Sequence, residues 1–471
     1  MMLTDDILST TLETGIDPGN PDIFKIFLDD LQGNILKGHG RDYSVHLLLR
    51  FKATPAEVAA WLEGFTKQYV KSAAQQWQET ARYKAERLSG GVWANCLLSC
   101  QGYEYLGIPP FKIPTDKPFR LGIKNPDIAQ TLGDPSASQW ENGFQGDIHA
   151  LLLLADDDSQ HLQNVVSGIA DTLEQIADIV QRDDGFILRN AAGQVIEHFG
   201  FVDGISQPLF MKSDIDAAKE KDGGFDQWDP RASLDIIVTK DPNGLTEDSF
   251  GSYLVYRKLE QNVKKFHTSQ QALAQTLGVD NGLAGAMMMG RFQDGSPVVL
   301  SDTPIPDNPT TNNFNYDADT AANKCPFHSH LRKTNPRGDT GRVVSSDDVA
   351  QALAMEKKHR IARRAVSYGN ADLTAAPETG SGLLFLCFQA NIENQFNFIQ
   401  ASWSNSANFV KVAVGPDPVI GQPQGTQQWP SQWGAPTREA VSMPLCITLQ
   451  GGEYFFAPSI SFLANLTSLL S

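Results

Sequence analysis

Four times along the chain, a short and nearly continuous apolar run precedes a segment whose apolar residues recur every three or four positions. The first run is 45–51 (VHLLLRF). Thr54, Pro55 and Glu57 then supply a cap, a proline at the first helical position and a glutamate at the third, the signature of a helix start. Val58, Trp61, Leu62 and Phe65 share one face of that helix, a stripe that packs on a core. The second unit is the run 147–154 (DIHALLLL), with Ser159 as the expected cap and Leu162, Val165, Val166, Ile169, Leu173 and Ile176 as the buried face. The third is 251–259, followed by a helix to about Leu277. The fourth is 382–389, followed by a helix near Ile392 to Trp403.

Strand and helix do not alternate closely enough here for a doubly wound sheet. Long polar, Gly- and Pro-rich segments separate the units, which fall in two pairs, one before about residue 210 and one after it. Two strand–helix units under one antiparallel sheet make a ferredoxin-like half. The expected fold is therefore α+β: two ferredoxin-like domains, each an antiparallel sheet packed by helices, over 1–215 and 216–471. The segment Lys212 to Leu234, rich in Asp, Lys and Gly, is the expected junction. The first ordered element is expected near 30–38. Long segments without periodicity, at 107–138, 302–324, 369–380 and 414–437, are of the kind that carries function or moves.

The chain has 471 residues, enough for two or three cores. It carries 38 basic and 55 acidic residues, a net charge of −17, which argues against nucleic acid or an anionic membrane as the main partner. No apolar run reaches the ~18 residues that would span a bilayer, and the first thirty residues carry acids where a signal peptide has bases. A cytoplasmic location is the expectation. The five cysteines (Cys96, Cys100, Cys325, Cys387 and Cys446) are scattered and odd in number, so no disulfide framework follows. Cys96 and Cys100, alone in an apolar run, read as buried thiols rather than zinc ligands. No phosphate-binding glycine loop and no H-E-x-x-H motif is present.

Three stretches carry candidate chemistry. In 325–337 (CPFHSHLRKTNPR), His328 and His330 offer imidazoles to a metal, and Arg332 and Arg337 suit carboxylates or phosphates. A metal ligand beside carboxylate-binding bases is what heme needs, but a surface or core histidine fits these residues equally well. In 197–208 (EHFGFVDGISQP), Asp203 sits among apolar neighbours and glycines. A carboxyl so placed can carry a proton, and a plain Asp-Gly turn also accounts for it. In 359–369 (HRIARRAVSYG), Arg363 and Arg364 precede a strand-like run and point to opposite faces, one into a pocket and one to solvent. A solvated basic edge is the other reading.

Together these stretches resemble the dye-decolorising peroxidase family. The run 200–204 matches its G-x-x-D-G motif, 325–337 is similar to its heme-ligand segment, and Arg363-Arg364 with Tyr368-Gly369 is similar to its distal arginine segment. The runs 32–36 (QGNIL), 256–261 (YRKLEQ) and 382–385 (GLLF) extend the likeness over nearly the whole chain, in order.

The resemblance implies one heme b per chain with His330 as the iron ligand. His328 stands where the family usually has a small residue. It implies Asp203 as the distal acid–base group, moving a proton between the two oxygens of hydrogen peroxide. Arg363 would stabilise the anion that develops as the O–O bond breaks, with Arg364 ranked second. His198 would contact the heme edge or a propionate, Arg337 would pair with a propionate, and Gly204 would lie in the cofactor site. Leu383 and Phe385 would line the distal pocket. The other ring nitrogen of His330 needs an acceptor, for which Glu393, with Asn391 close by, is a candidate by position, not one that the sequence fixes.

The implied activity is a peroxidase that oxidises bulky aromatic donors, anthraquinone dyes and phenolics, in one-electron steps. Trp403, Tyr253, Tyr256 and Tyr368 are candidate relays to the surface, with core packing as the plainer reading of each. Two rivals stand beside this: a heme carrier or sensor without turnover, which would not need Asp203, and a non-heme α+β protein built on His328, His330 and His359. The oligomeric state is not legible in the sequence.

Overall fold

A computed structural model describes residues 3–305, 311–342, 349–422 and 425–470. Parts of two long segments anticipated above, 306–310 and 423–424, lie outside the described residues. The first strand–helix unit forms β1 (Tyr43–Phe51) and α1 (Pro55–Tyr69). The Thr54 hydroxyl and the Glu57 carboxylate cap each other's backbone N–H groups, and Val58, Leu62 and Phe65 are buried. β2 (Trp93–Leu98) follows, then the second unit, β3 (Ala150–Asp156) with α2 (Ser159–Leu173), and then β4 (Ala177–Phe186). The cap of α2 is Asp158 rather than Ser159: its carboxylate accepts from Gln160 N and His161 N at 2.9 and 3.0 Å. A short acidic side chain one position earlier reaches the same orphan donors.

The second half repeats this layout. β5 (Phe250–Gln261) runs into α3 (Val263–Leu277). β6 is a broken strand, Ala362–Arg363 and Val366–Tyr368, and β7 (Gly382–Gln389) pairs with both of its pieces in one register. Two π-helical turns, Glu393–Asn397 and Ile399–Ser404, stand where a single helix was expected, and β8 (Ile447–Ala457) closes the half. The expected junction is not bare linker, because Lys212–Asp222 is helical.

The strand order is β2-β3-β1-β4 in the first half and β8-β5-β7-β6 in the second, all antiparallel. Each half has the ferredoxin-like order 4-1-3-2. The halves then join edge to edge, β4 to β6 through Ser367 and Phe186, and β2 to β8 through Leu98 and Phe456. Eight strands thus close into a ring, which removes the free edges that would otherwise invite aggregation. Gly382 opens β7 because an added Cβ would lie 1.9 Å from the Leu259 carbonyl of β5. All five cysteines are free and buried.

Candidate active site

β5 and β7 present one face to a cavity at the side of the ring. Arg257, Leu259 and Gln261 alternate along β5, and opposite them Leu383 and Phe385 alternate along β7, with Leu383 paired to Leu259 and Phe385 to Arg257. Between them, Leu384 and Leu386 point into the core and are fully buried. The period of two that the sequence suggested for Leu383 and Phe385 is what turns both to the cavity.

His330 enters from the opposite wall. It is the first residue of a short helix, α4 (His330–Thr334), and its side chain is 28% exposed to the cavity. The other bases of this segment anchor the helix. Arg332 is fully buried between Asp339 and Asp319 (2.6 and 3.0 Å) and over the ring of Tyr316. Lys333 donates to the carbonyls of Trp403 and Ser406. Neither is free for a ligand. His328 turns away and packs edge-on against Trp429 at 4.2 Å, where burial holds its ring well below its ordinary pKa.

The partner of His330 Nδ1 is Asp417, with Oδ2 at 2.8 Å, and not Glu393, which is exposed on its π-helical turn. Asp417 is itself fixed, since its Oδ1 accepts from Val419 N and Ile420 N at 2.8 and 3.2 Å. One nitrogen of His330 is thereby held and the other is left to the cavity. The sequence contains no local signal for this pairing, because Asp417 lies in a long aperiodic segment, 87 residues away.

Above His330, Asp203 and Gly204 line the cavity at the end of the 197–204 loop. Gly200 has φ +92 and Gly204 φ +78, conformations that favour glycine. The loop is pinned by Phe199 and Phe201, which pack on Phe266 of α3 at 4.0 and 6.1 Å. Arg363 Nη1 donates to Asp203 Oδ1 at 2.8 Å. Burial raises the proton affinity of Asp203, but the Arg363 charge and the Gly204 N–H outweigh it and hold this carboxyl below its usual range.

Arg363 faces the same side of the sheet as Phe385, and Gln207 grips its backbone from both sides. Arg364 does point the other way, but not to solvent. Its guanidinium donates to the carbonyls of Asn34 and Ile35 at 2.6 and 2.9 Å, within the 32–36 run. That run earns its place in the family likeness by anchoring the neighbour of Arg363.

Two anticipated contacts do not line the cavity. His198 turns its Nε2 to the Tyr368 carbonyl at 2.8 Å. Arg337 lies a layer behind, donating to Asn312 O, Phe314 O and Asn312 Oδ1, each at 2.7 Å. Besides Arg257 and Arg363, which carboxylates engage, the guanidiniums that line it are Arg291 and Arg360, beside Trp228. Arg291 shares Asn312 Oδ1 with Arg337, and Arg360 donates to the Asp229 carbonyl. Burial lowers Arg291 and Arg360 to about 10, so both stay charged at neutral pH, and neither has a carboxylate ion-pair partner among the described residues. Trp403, Tyr253, Tyr256 and Tyr368 are all buried, so none of these four opens to the surface.

A pocket with one free imidazole nitrogen, apolar walls (Leu259, Ile361, Leu383, Phe385, Val419, Ile447) and two guanidiniums without a carboxylate ion pair among the described residues fits an iron porphyrin with acidic side arms. Comparison with known proteins agrees. Residues 30–187 match the DyP dimeric alpha+beta barrel domain, and residues 213–410 match the Dyp-type peroxidase C-terminal domain. The multifunctional dye peroxidase DyP2 of Amycolatopsis sp. is 39% identical over 98% of this chain and 99% of its own. A crystal structure of an Anabaena sp. DyP-type peroxidase superposes with a TM-score of 0.96 at 58% identity, covering 98% of this chain and all of that one. A fungal DyP-type peroxidase from Auricularia auricula-judae superposes with a TM-score of 0.73 at 26% identity, covering 93% and 99%. The chain belongs to the dye-decolorising peroxidase family.

Proposed function

We propose that this protein is a heme peroxidase in which Asp203 and Arg363 work above the cofactor and His330, backed by Asp417, works below it. The observation that carries the reading is the Asp203–Arg363 pair facing the free side of His330 across one cavity. A heme carrier would not need that pair. Heme b, one per chain, would be held by His330 at its iron, with its propionates on Arg291 and Arg360 and with Arg337 bracing Arg291 through Asn312. Bound there, heme would supply a site at which peroxide oxygen is reduced and to which aromatic donors return electrons singly.

The rest is the work of this chain's side chains. Asp203, held as a carboxylate, accepts the proton from one peroxide oxygen and returns it to the other, so that water can leave. Arg363 stays charged throughout and offers its N–H groups to the developing anion. Leu383 and Phe385 exclude water from that face. Asp417 holds the His330 ring in one tautomer and raises its basicity.

The substrates are hydrogen peroxide and aromatic donors. A solved structure of a related dye-decolorising peroxidase is of its complex with 2,6-dimethoxyphenol, and such phenols, with bulkier anthraquinone dyes, are the donors proposed here. The chain is proposed to divide near residue 215; four strands before that point and four after it, each set in ferredoxin-like order, support the division. Among the described residues no helix is long and apolar enough to cross a membrane, and a cytoplasmic location is proposed. The test is peroxide-driven oxidation of 2,6-dimethoxyphenol by heme-loaded protein, with Asp203→Asn at equal heme content. Loss of turnover in the variant supports the enzyme reading, whereas equal turnover refutes the assignment of Asp203.

A further inference from the structure

Asp203 is not alone in its cavity. Glu197, at the other end of the same loop, also lines it, and the residue is only 8% exposed. Its surroundings are the opposite of those of Asp203. Its oxygens meet two backbone N–H groups, Phe199 N at 2.9 Å and Phe201 N at 3.1 Å, and the side-chain amide of Gln261 at 2.6 Å. The charged groups that line the cavity with it are Asp203, Arg257, Arg291, Arg360, Arg363 and His330. Arg257 is engaged by Asp134, Arg363 by Asp203 and His330 by Asp417, and none of the six pairs with Glu197 among the described residues.

Of these three contacts, the one from Gln261 comes from a side-chain amide that can be turned over. Gln261 Oε1 is also a buried acceptor with no partner. Turning the Gln261 amide over puts that oxygen opposite Glu197, where a protonated carboxyl donates to it, and such a turn leaves the heavy atoms in place.

From this geometry we infer that Glu197 is a neutral carboxylic acid and the second proton-carrying group of the distal cavity, complementary to the anionic Asp203. The inference rests on the peroxidase reading above. Burial, helped by the nearby Asp203 charge, pushes the Glu197 carboxyl up to about 7 against the Phe199, Phe201 and Gln261 N–H groups, which favour the anion, so the proton is held in mildly acid solution. Two carboxyls driven apart in this way divide the roles of acid and base. The stoichiometry calls for such a group. One peroxide and two phenols give two waters and two phenoxyl radicals: the O–O bond breaks, and two electrons and two protons pass from the donors to the oxygens. A donor too large for the cavity delivers its electrons from outside, so protons must reach the oxygens through groups on the wall. Asp203 shuttles one proton within the peroxide; Glu197 supplies in turn each of the two protons that the retained oxygen takes up, recharged from solvent after each, and the protons the phenols lose pass to solvent.

The test uses heme-loaded wild type, Glu197→Gln and Glu197→Asp, with turnover of 2,6-dimethoxyphenol followed across pH. Wild-type turnover is expected to fall as pH rises through about 7. Glu197→Gln cannot ionise or donate a proton in this role; it is expected to lose about tenfold or more at pH 6 and to show no alkaline fall. Glu197→Asp keeps an alkaline fall at a shifted pH. In the infrared spectrum, wild type should show a protonated-carboxyl band that fades through the same pH range and is missing in Glu197→Gln. A Glu197→Gln enzyme that keeps the wild-type alkaline fall, whether at full or reduced rate, overturns the inference, as does an unchanged carboxyl band. If Glu197→Gln does not take up heme, the wild-type infrared titration and Glu197→Asp decide. Absence of turnover in heme-loaded wild type would instead refute the peroxidase reading itself.

Discussion

Nδ1 of His330 stands 2.8 Å from Oδ2 of Asp417, a fully buried carboxylate that two backbone N–H groups hold from the other side. A ring nitrogen that donates to a carboxylate makes its partner nitrogen a stronger base, and the orientation of the ring is fixed at the same time. Asp417→Asn keeps the size and one acceptor oxygen but removes the charge. It is expected to retain the fold and most of the heme while peroxide reactivity drops by about ten- to a hundredfold. Stopped-flow absorption at matched heme content reads this directly, and the reduction potential should rise in the same variant.

Asp203→Asn removes the proton acceptor above the cofactor. Turnover should fall by about a hundredfold or more, with heme content unchanged. In wild type the folded-state pKa of Asp203 lies below that of a free aspartate, because Arg363 and the Gly204 N–H outweigh burial. The working form is the anion, so activity should persist into mildly acid solution and be lost as pH falls through the depressed value. The stability that the Asp203–Arg363 pair contributes has the same sign, present above the ordinary aspartate pKa and lost on acidification. A pH–rate profile with its acid limb near or above the ordinary aspartate range would contradict this.

Arg363→Leu takes away the fixed cation. A loss of about a hundred- to a thousandfold is expected, the usual effect of deleting a donor aimed at a developing anion. The remaining activity should also have its acid limb moved to higher pH, since burial of Asp203 is then unopposed by a neighbouring guanidinium. The shift of that limb distinguishes loss of the pair from general damage to the cavity.

Arg364→Ala touches no part of the cavity but leaves the carbonyls of Asn34 and Ile35 without their donors. Unpaired buried carbonyls cost about 1–3 kcal/mol each, so a loss of roughly 2–6 kcal/mol is expected and should appear as a lowered melting temperature. Because Arg364 steadies the strand piece that carries Arg363, a smaller fall in turnover should accompany it. An unchanged melting temperature would mean that water takes over both carbonyls.

The sequence revealed the first and third strands of each half and, of the other four, only a strand-like run after Arg364, and the reason is physical. β1, β3, β5 and β7 are long and apolar, and helices cover them. β4 reads ADIVQRDDGF, with three of its ten residues buried, so it has neither an apolar run nor clean alternation. β6 is broken into two- and three-residue pieces that only their pairing with β7 reveals as one strand. In the site, Asp203, Arg363, His330, Leu383 and Phe385 were legible because each sits in a short, dense motif whose neighbours also serve the site. Asp417 and Arg291 were not, because they come from distant segments; Arg360 and Glu197, inside the 359–369 and 197–208 stretches, were not, because each stands beside a histidine, which is the stronger ligand signal. Arg332 and Arg337 read as ligand-binding bases and proved to be structural, since sequence spacing cannot show which carboxylate or carbonyl a guanidinium has already found.

The central claim is that His330, Asp203 and Arg363 surround one iron porphyrin. The most direct measurement is the visible absorption spectrum of heme-loaded protein before and after one equivalent of hydrogen peroxide, beside His330→Ala. The account predicts a Soret band of histidine-ligated ferric heme that shifts on peroxide addition and returns as a phenolic donor is oxidised, with the band lost or displaced in His330→Ala. A protein that takes up no heme, or one whose Soret band and peroxide response are the same without His330, would contradict it.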